Sequence, residues 1–336
     1  MSTGPTAAQP PDRTTRGRDP SGHVPNVAVL CGGVGAARFL RGLLRVVDPA
    51  GVTAIVNVAD DFELHGLHIS PDVDTVVYTL AGAIDPDRGW GLRDETWHAM
   101  TLLERYGNPS WFNLGDKDLA THVVRTQRLR DGATLSQVTD QLARAWELSC
   151  TVVPVSDDPV RTVVGTAHGE LGFQEYFVGR RHAVPITGVR FEGADAARPA
   201  PGVLEALDDA DAIVLAPSNP IVSIAPLLAV PGVRDALVRH RRRVAAVSPI
   251  VAGAALKGPA DRMLAELGHE PSVLGVARLH AEVAAVLVID RADAHRAAEV
   301  EAEGMTCVVT DAVMGDIDRA AALARTTIDA AADRTR

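Results

Sequence analysis

Short apolar runs and amphipathic stretches alternate along this chain. Val27–Cys31 is an apolar run that ends in glycines, which predicts a buried strand. Over 36–47, Phe39, Leu40, Leu43, Leu44 and Val47 recur at helical spacing and share one face. A second strand is predicted over Val52–Val58. An Asp–Thr start at Asp74, followed by Val76, Val77 and Leu80, predicts a helix reaching Gly82. Strand-like runs return at 212–216, 244–247, 285–289 and 306–309, each beside a helical segment. This alternation predicts an α/β fold, a Rossmann-like doubly wound and mostly parallel sheet. From about residue 85 to 180 strand signals thin out, and helical segments at 96–105, 118–129 and 135–148 dominate. The prediction there is a mainly helical insertion over the sheet's carboxyl edge. Residues 25–336 read as a single α/β domain. Residues 1–24, rich in Thr, Pro, Arg and Gly and lacking an apolar core segment, read as a disordered tail and not a signal peptide.

Composition narrows the chemistry. The chain has 336 residues, 46% of them hydrophobic, and a formal net charge of −10. That is enough apolar material for a large core, and the negative charge argues against nucleic acid or acidic lipid as a partner. Cys31, Cys150 and Cys307 are too scattered for a disulfide or zinc pattern, which fits a reducing cytoplasm. No apolar run is long enough to span a bilayer, so no membrane partner is expected. The basic run Arg239–Arg243 follows an apolar helix and reads as a solvated helix end.

The loops after the strands carry the candidate chemistry. Gly32, Gly33 and Gly35 open a helix directly after the first strand. Glycine lets backbone approach a phosphate closely, and a helix start offers N–H donors. The turn is neither a P-loop nor a dinucleotide fingerprint, since Arg38 stands where the third glycine would fall; that arginine is suited to a phosphate oxygen. Asp60, Asp61, Asp72 and Asp74 crowd the next loop and helix start. Clustered acids beside a phosphate cradle favour a hard cation, Mg²⁺. Asp60, Asp61 and Asp74 are the expected ligands, although Asp74 would also serve as a helix cap; Asp72, after Pro71, is read as turn chemistry. Two later loops, Pro217-Ser218-Asn219-Pro220 and Ser248-Pro249 continuing to Lys257-Gly258, predict a second anion or nucleoside pocket. In the insertion, Trp111-Phe112-Asn113 suits stacking of a flat heterocycle with a polar edge, or equally the packing of the insertion onto the sheet. The histidines make no metal pair, and no serine lies in a nucleophile elbow.

Taken in order, these motifs resemble the 2-phospho-L-lactate transferase family of coenzyme F-420 biosynthesis. The matching blocks are Gly32–Gly35, Asn57–Asp61, Ser70–Thr75, Trp111–Asp118 with Thr121-His122, Pro154–Asp158, Phe173–Phe177, Pro217–Ser223, and Ser248 through Ala260. They span most of Val27 to Asp290; Ala36 and Ala59 replace glycines common in the family, without loss of a charged group. The resemblance implies Mg²⁺-dependent transfer of a 2-phospho-L-lactyl or phosphoenolpyruvyl group from a guanosine diphosphate donor. The acceptor would be the ribityl hydroxyl of the 5-deazariboflavin Fo, giving (dehydro) coenzyme F-420-0 and GMP. Similarity to actinobacterial members favours the enolpyruvyl donor. It further implies that Asp61 and Asp74 are catalytic, that Asp74 and Asn113 contact Fo, and that the protein is a homodimer. The guanosine diphosphate would be held by Gly32, Gly33, Gly35, Arg38, Ser218, Asn219, Ser248 and Lys257. Two rival readings are an NAD-dependent Rossmann oxidoreductase, with Asp60 or Asp61 on the ribose, and a nonenzymatic nucleotide- or flavin-binding regulator.

Overall fold

A computed structural model of the chain describes residues 25–332. Seven parallel strands form the central sheet: β1 (Val27–Cys31), β2 (Val52–Val56), β3 (Thr151–Pro154), β4 (Ala212–Leu215), β5 (Val244–Val247), β6 (Val286–Asp290) and β7 (Thr306–Thr310). Their order is β7-β6-β5-β4-β1-β2-β3. Every residue of β1, β4 and β5 is buried, as expected for strands covered by helices on both faces. The strand order reverses between β1 and β4, which pair in parallel from Val27 against Ala212. Ligands of doubly wound sheets bind in the crevice that such a reversal opens beyond the carboxyl ends.

Helix α1 (Gly33–Leu43) follows β1 directly and buries Phe39, Leu40 and Leu43. Its Gly42 permits contact with the C-terminal helix Ile317–Ala332, because a Cβ there would lie 2.4 Å from the Ala320 carbonyl carbon. Helix α2 spans Pro71–Leu80. It begins three positions before the expected Asp74, because proline is preorganised for the first helical position, and so Asp72 and Asp74 share its first turn.

The predicted helices of the insertion are present as α3 (His98–Arg105), α4 (Asp116–Arg130) and α5 (Leu135–Ala145). The rest of the stretch differs from the mainly helical expectation. β3 is an edge strand of the main sheet, where its terminal Pro154 costs no ladder hydrogen bond. Arg161–Thr166, Gly169–Gly172 and Ile186–Glu192 then form a three-stranded antiparallel sheet. These strands are short and glycine-interrupted, which erases an alternating signal. The basic run holds carbonyls: Arg241 donates to Ala281 (2.7 Å) and Gly304 (2.7 Å), and Arg243 to Ala210 (2.6 Å). Among the described residues no single helix is long and apolar enough to cross a membrane.

Candidate active site

Backbone proximity explains the glycine turn after β1. A Cβ on Gly32 would lie 2.5 Å from Asp72 Oδ2, and one on Gly35 would lie 2.4 Å from the Pro217 carbonyl oxygen. Gly33 adopts φ +73, in the left-handed region that favours glycine. Ser218 donates its hydroxyl hydrogen to the Gly32 carbonyl at 2.9 Å, which ties the loop after β4 to the turn across the sheet reversal. Asn219 accepts from Ile221 N–H at 2.9 Å, and Ser248 accepts from Ile250 N–H at 3.1 Å, so both shape their own loops. A Cβ on Gly89 would lie 3.2 Å from Lys257 Nζ. Burial and the neighbouring Arg38 charge hold that ammonium below the usual lysine range. The structure thus gathers the glycine turn, Arg38, Ser218 and Lys257 at one end of the sheet.

The acids divide into two groups. Asn57, fully buried, accepts from Ala59 N–H (3.0 Å) and donates to Asp72 Oδ2 (2.9 Å), which folds the loop after β2 onto the start of α2. Asp60 and Asp72 are 6% and 7% exposed. The hairpin Phe62–Leu64/Leu67–Ile69 turns through His65 and Gly66, both with positive φ. It returns His68 Nε2 to 3.1 Å from Asp61 Oδ2, which also accepts from Ser70 Oγ at 2.7 Å. Oδ1 of Asp60 and Oδ1 of Asp61 are buried without a hydrogen-bond partner. Burial, then the Asp72 and Asp61 charges, push Asp60 well above the usual carboxylate range. Burial also raises Asp61 and pushes Asp72 up to about 6. Three desolvated carboxylates, two of them (Asp60 and Asp61) with an orphaned oxygen, beside a phosphate-type turn fit a divalent cation with oxygen ligands.

Asp74 belongs to the second group, where an arginine shares the oxygens expected to serve as metal ligands. Both of its oxygens are taken by Arg125, through Nη2 to Oδ1 and Nη1 to Oδ2 (3.1 Å). Arg125 is fully buried and lies on α4; its Nη1 is also 3.2 Å from His122 Nδ1. His122 Nε2 is 3.4 Å from Asp118 Oδ2, and Tyr78 donates its hydroxyl hydrogen to Asp118 at 2.7 Å. Asp74, Asp118 and His122 offer ligand atoms within 4.8 Å of one another. An added cation there would face the Arg125 guanidinium, which already neutralises Asp74. Asp72, read from sequence as turn chemistry, instead lies against the glycine turn.

Trp111 and Phe112 pack on Phe62, at ring-centroid distances of 5.7 and 4.9 Å, over a small apolar cluster with Leu64, Ile69, Met100 and Leu114. Asn113 is exposed beside them. Sequence reasoning missed Arg125 and the placement of Asp72. The signal for Arg125 was the run Asp118, His122, Arg125, a polar stripe on a single helical face.

A glycine turn at a helix start, with buried carboxylates from the loop after β2 beside it and the reversal of a doubly wound sheet on its other side, places this chain among α/β proteins whose geometry suits phosphorylated ligands. The chain belongs to the 2-phospho-L-lactate transferase CofD family, whose profile matches residues 27–330, and is a transferase. It is 44% identical over 309 residues to a phosphoenolpyruvate transferase of Kitasatospora aureofaciens, covering 90% of this chain and 96% of that protein. The phosphoenolpyruvate transferase of Streptomyces griseus is 45% identical, with 91% and 98% covered. That of Mycolicibacterium smegmatis is 42% identical, again with 91% and 98% covered. A solved structure of a UPF0052-family protein from Bacillus halodurans superposes with a TM-score of 0.60 at 17% identity, over 91% of this chain and 99% of that one; the likeness establishes the fold alone.

Proposed function

We propose that this chain transfers a phosphoenolpyruvyl group from an enolpyruvyl guanosine diphosphate to the ribityl hydroxyl of Fo, releasing GMP and forming dehydro coenzyme F-420-0. The observation that carries this reading is the buried carboxylate group Asp60, Asp61 and Asp72 set against the glycine turn. Those three residues would hold Mg²⁺, which when bound supplies charge neutralisation for the diphosphate and the departing GMP. The N–H groups at the start of α1 receive the diphosphate oxygens, and Arg38 and Lys257 add fixed positive charge. Ser218, Asn219 and Ser248 shape the walls around the nucleotide.

The acceptor hydroxyl oxygen attacks the phosphorus that carries the three-carbon acid, and the bond from that phosphorus to the oxygen bridging to GMP breaks. No covalent enzyme intermediate is needed, because such transfers depend mainly on positioning and electrostatics. Asp74, locked by Arg125, accepts a hydrogen bond from the hydroxyl and aims it. Asp74 also receives the hydroxyl proton as the bond to phosphorus forms, while Asp61 stays a ligand of the cation. The exposed Asn113, beside the Phe62–Trp111–Phe112 cluster, contacts the polar edge of the deazaflavin.

Incubation with Fo, Mg²⁺ and either the enolpyruvyl or the lactyl guanosine diphosphate, followed by mass analysis, tests the reading. Dehydro coenzyme F-420-0 and GMP are expected from the first donor. Absence of any deazaflavin phosphodiester, with saturable NADH binding instead, would favour an oxidoreductase.

A further inference from the structure

Beside the glycine turn, on the outer face of α1, lies a cavity of about 240 Å³ bounded by the 82–93 loop and the start of the C-terminal helix. Val34, Arg38 and Arg41 line it from α1, Arg93 from the loop, and Gly315 and Asp316 from the helix start. The guanidinium groups of Arg38 and Arg41 make no hydrogen bond or ion pair with any described residue. Arg93 gives one N–H to the Gly82 carbonyl (3.1 Å) and keeps its other donors. The acids on the wall are already engaged. Asp85 pairs with Arg88 at 2.8 Å, and Asp316 accepts from Arg319 N–H at 2.8 Å.

A second observation points the same way. The Lys257 ammonium sits at the rim, beside Gly89 and Val34. Burial, then the Arg38 charge, hold it below the usual lysine range. Four cationic side chains from three parts of the chain therefore converge in a protein whose formal net charge is −10.

We propose that this cleft is an anion-binding site for a phosphate or diphosphate group, with Arg41 and Arg93 as contacts beyond the donor-binding residues. Planar guanidinium forks match phosphate oxygens in pairs. The cavity is smaller than the roughly 300–1,000 Å³ typical of sites that enclose a whole small molecule, so it takes the charged group and not a heterocycle. The inference does not depend on the deazaflavin reaction. The phosphate is either the tail of a nucleotide that also engages the glycine turn or a free anion.

Calorimetric titration of the full chain with inorganic pyrophosphate, in EDTA so that no cation recruits the anion to the acids, tests the site. Wild type is expected to bind, and R41A/R93A to bind at least about tenfold more weakly, since two guanidinium forks that donate charge-assisted hydrogen bonds are removed. Both arginines are exposed, so an unchanged melting temperature will confirm that the double variant is folded. R234A, which removes an exposed arginine paired with Glu282, is expected to bind as wild type does. No wild-type binding at millimolar pyrophosphate, equal affinity in R41A/R93A, or equal weakening in R234A would each overturn the proposal. Repeating the titration with saturating GMP separates the sources: competition marks the nucleotide tail, and independent binding marks a free anion. Loss of transfer activity with the pyrophosphate site intact would count against the proposed reaction and leave this site standing.

Discussion

At the scale of single residues, two kinds of buried carboxylate meet in this site and behave oppositely. Asp74 is compensated by Arg125, so cutting either partner leaves a desolvated charge behind. Arg125→Ala is expected to destabilise the fold by about 3–5 kcal/mol, measurable by denaturant unfolding. Asp74→Asn keeps the shape and one acceptor but leaves the Arg125 guanidinium without its counter-charge; it should unfold at lower denaturant than wild type and, in the folded fraction, lower kcat by about 100-fold or more. Turnover near wild type in Asp74→Asn would remove Asp74 from the hydroxyl-aiming role. Asp72 is uncompensated, raised from its ordinary value of 3.8 to about 6 by burial and by Asp61. Between those values the folded state keeps a proton that the unfolded chain has released. The metal-free protein therefore loses stability as pH rises through that window, and above it bears a cost of about 3 kcal/mol from this group. Asp60 and Asp61 shift in the same direction, so they add with the same sign. Melting temperatures against pH should show this slope without metal, a gain from Mg²⁺ concentrated above pH 6, and a flatter profile in Asp72→Asn. A metal-free profile that rises through the window would contradict it.

At the scale of elements, the glycine turn is a joint between two loops and not merely a flexible link. Gly35→Ala places a Cβ 2.4 Å from the Pro217 carbonyl oxygen, and backbone cannot yield as a flexible side chain would. The variant should separate the turn from the loop after β4 and raise the donor KM at least about tenfold, with overpacking costing about 1–3 kcal/mol of stability. An unaltered donor KM would mean that the joint does not shape the donor site. Strands β1, β4 and β5 were legible because each is a fully buried apolar run bounded by turn residues, and the order of motifs carried the family. The antiparallel strands were not legible, since Gly165, Gly169 and Gly172 break their pattern. Helix α2 starts at Pro71, which moved Asp72 from a turn into the site. Helix α4 hides its chemistry for another reason. Its buried face is polar, with Asp118, Thr121, His122, Arg125 and Thr126 turned inward, and an apolar-stripe criterion reads such a helix as solvent-facing.

At the scale of the whole molecule, the proposed reaction requires a chain of net charge −10 to capture an anionic donor. Two opposing fields act on the donor: repulsion from carboxylates spread over the surface, and attraction from Arg38 and Lys257 beside the turn. Distance decides between them. At ~0.1 M salt the Debye length is about 10 Å, so most of the distant charge is already screened while contacts at the turn are not. Adding salt beyond that point weakens only the local attraction. The donor KM should therefore rise severalfold between ~0.1 and ~0.5 M KCl, while the KM of the deazaflavin acceptor, which carries no phosphate, changes less. Lys257→Ala should raise the donor KM at low salt more than it changes the acceptor KM, and should reduce the salt dependence, because it removes one of the charges being screened. Steady-state titrations of each substrate at several salt concentrations check both statements. A donor KM that falls with salt would mean that the global charge governs capture, and that the cations at the turn do not contact the donor.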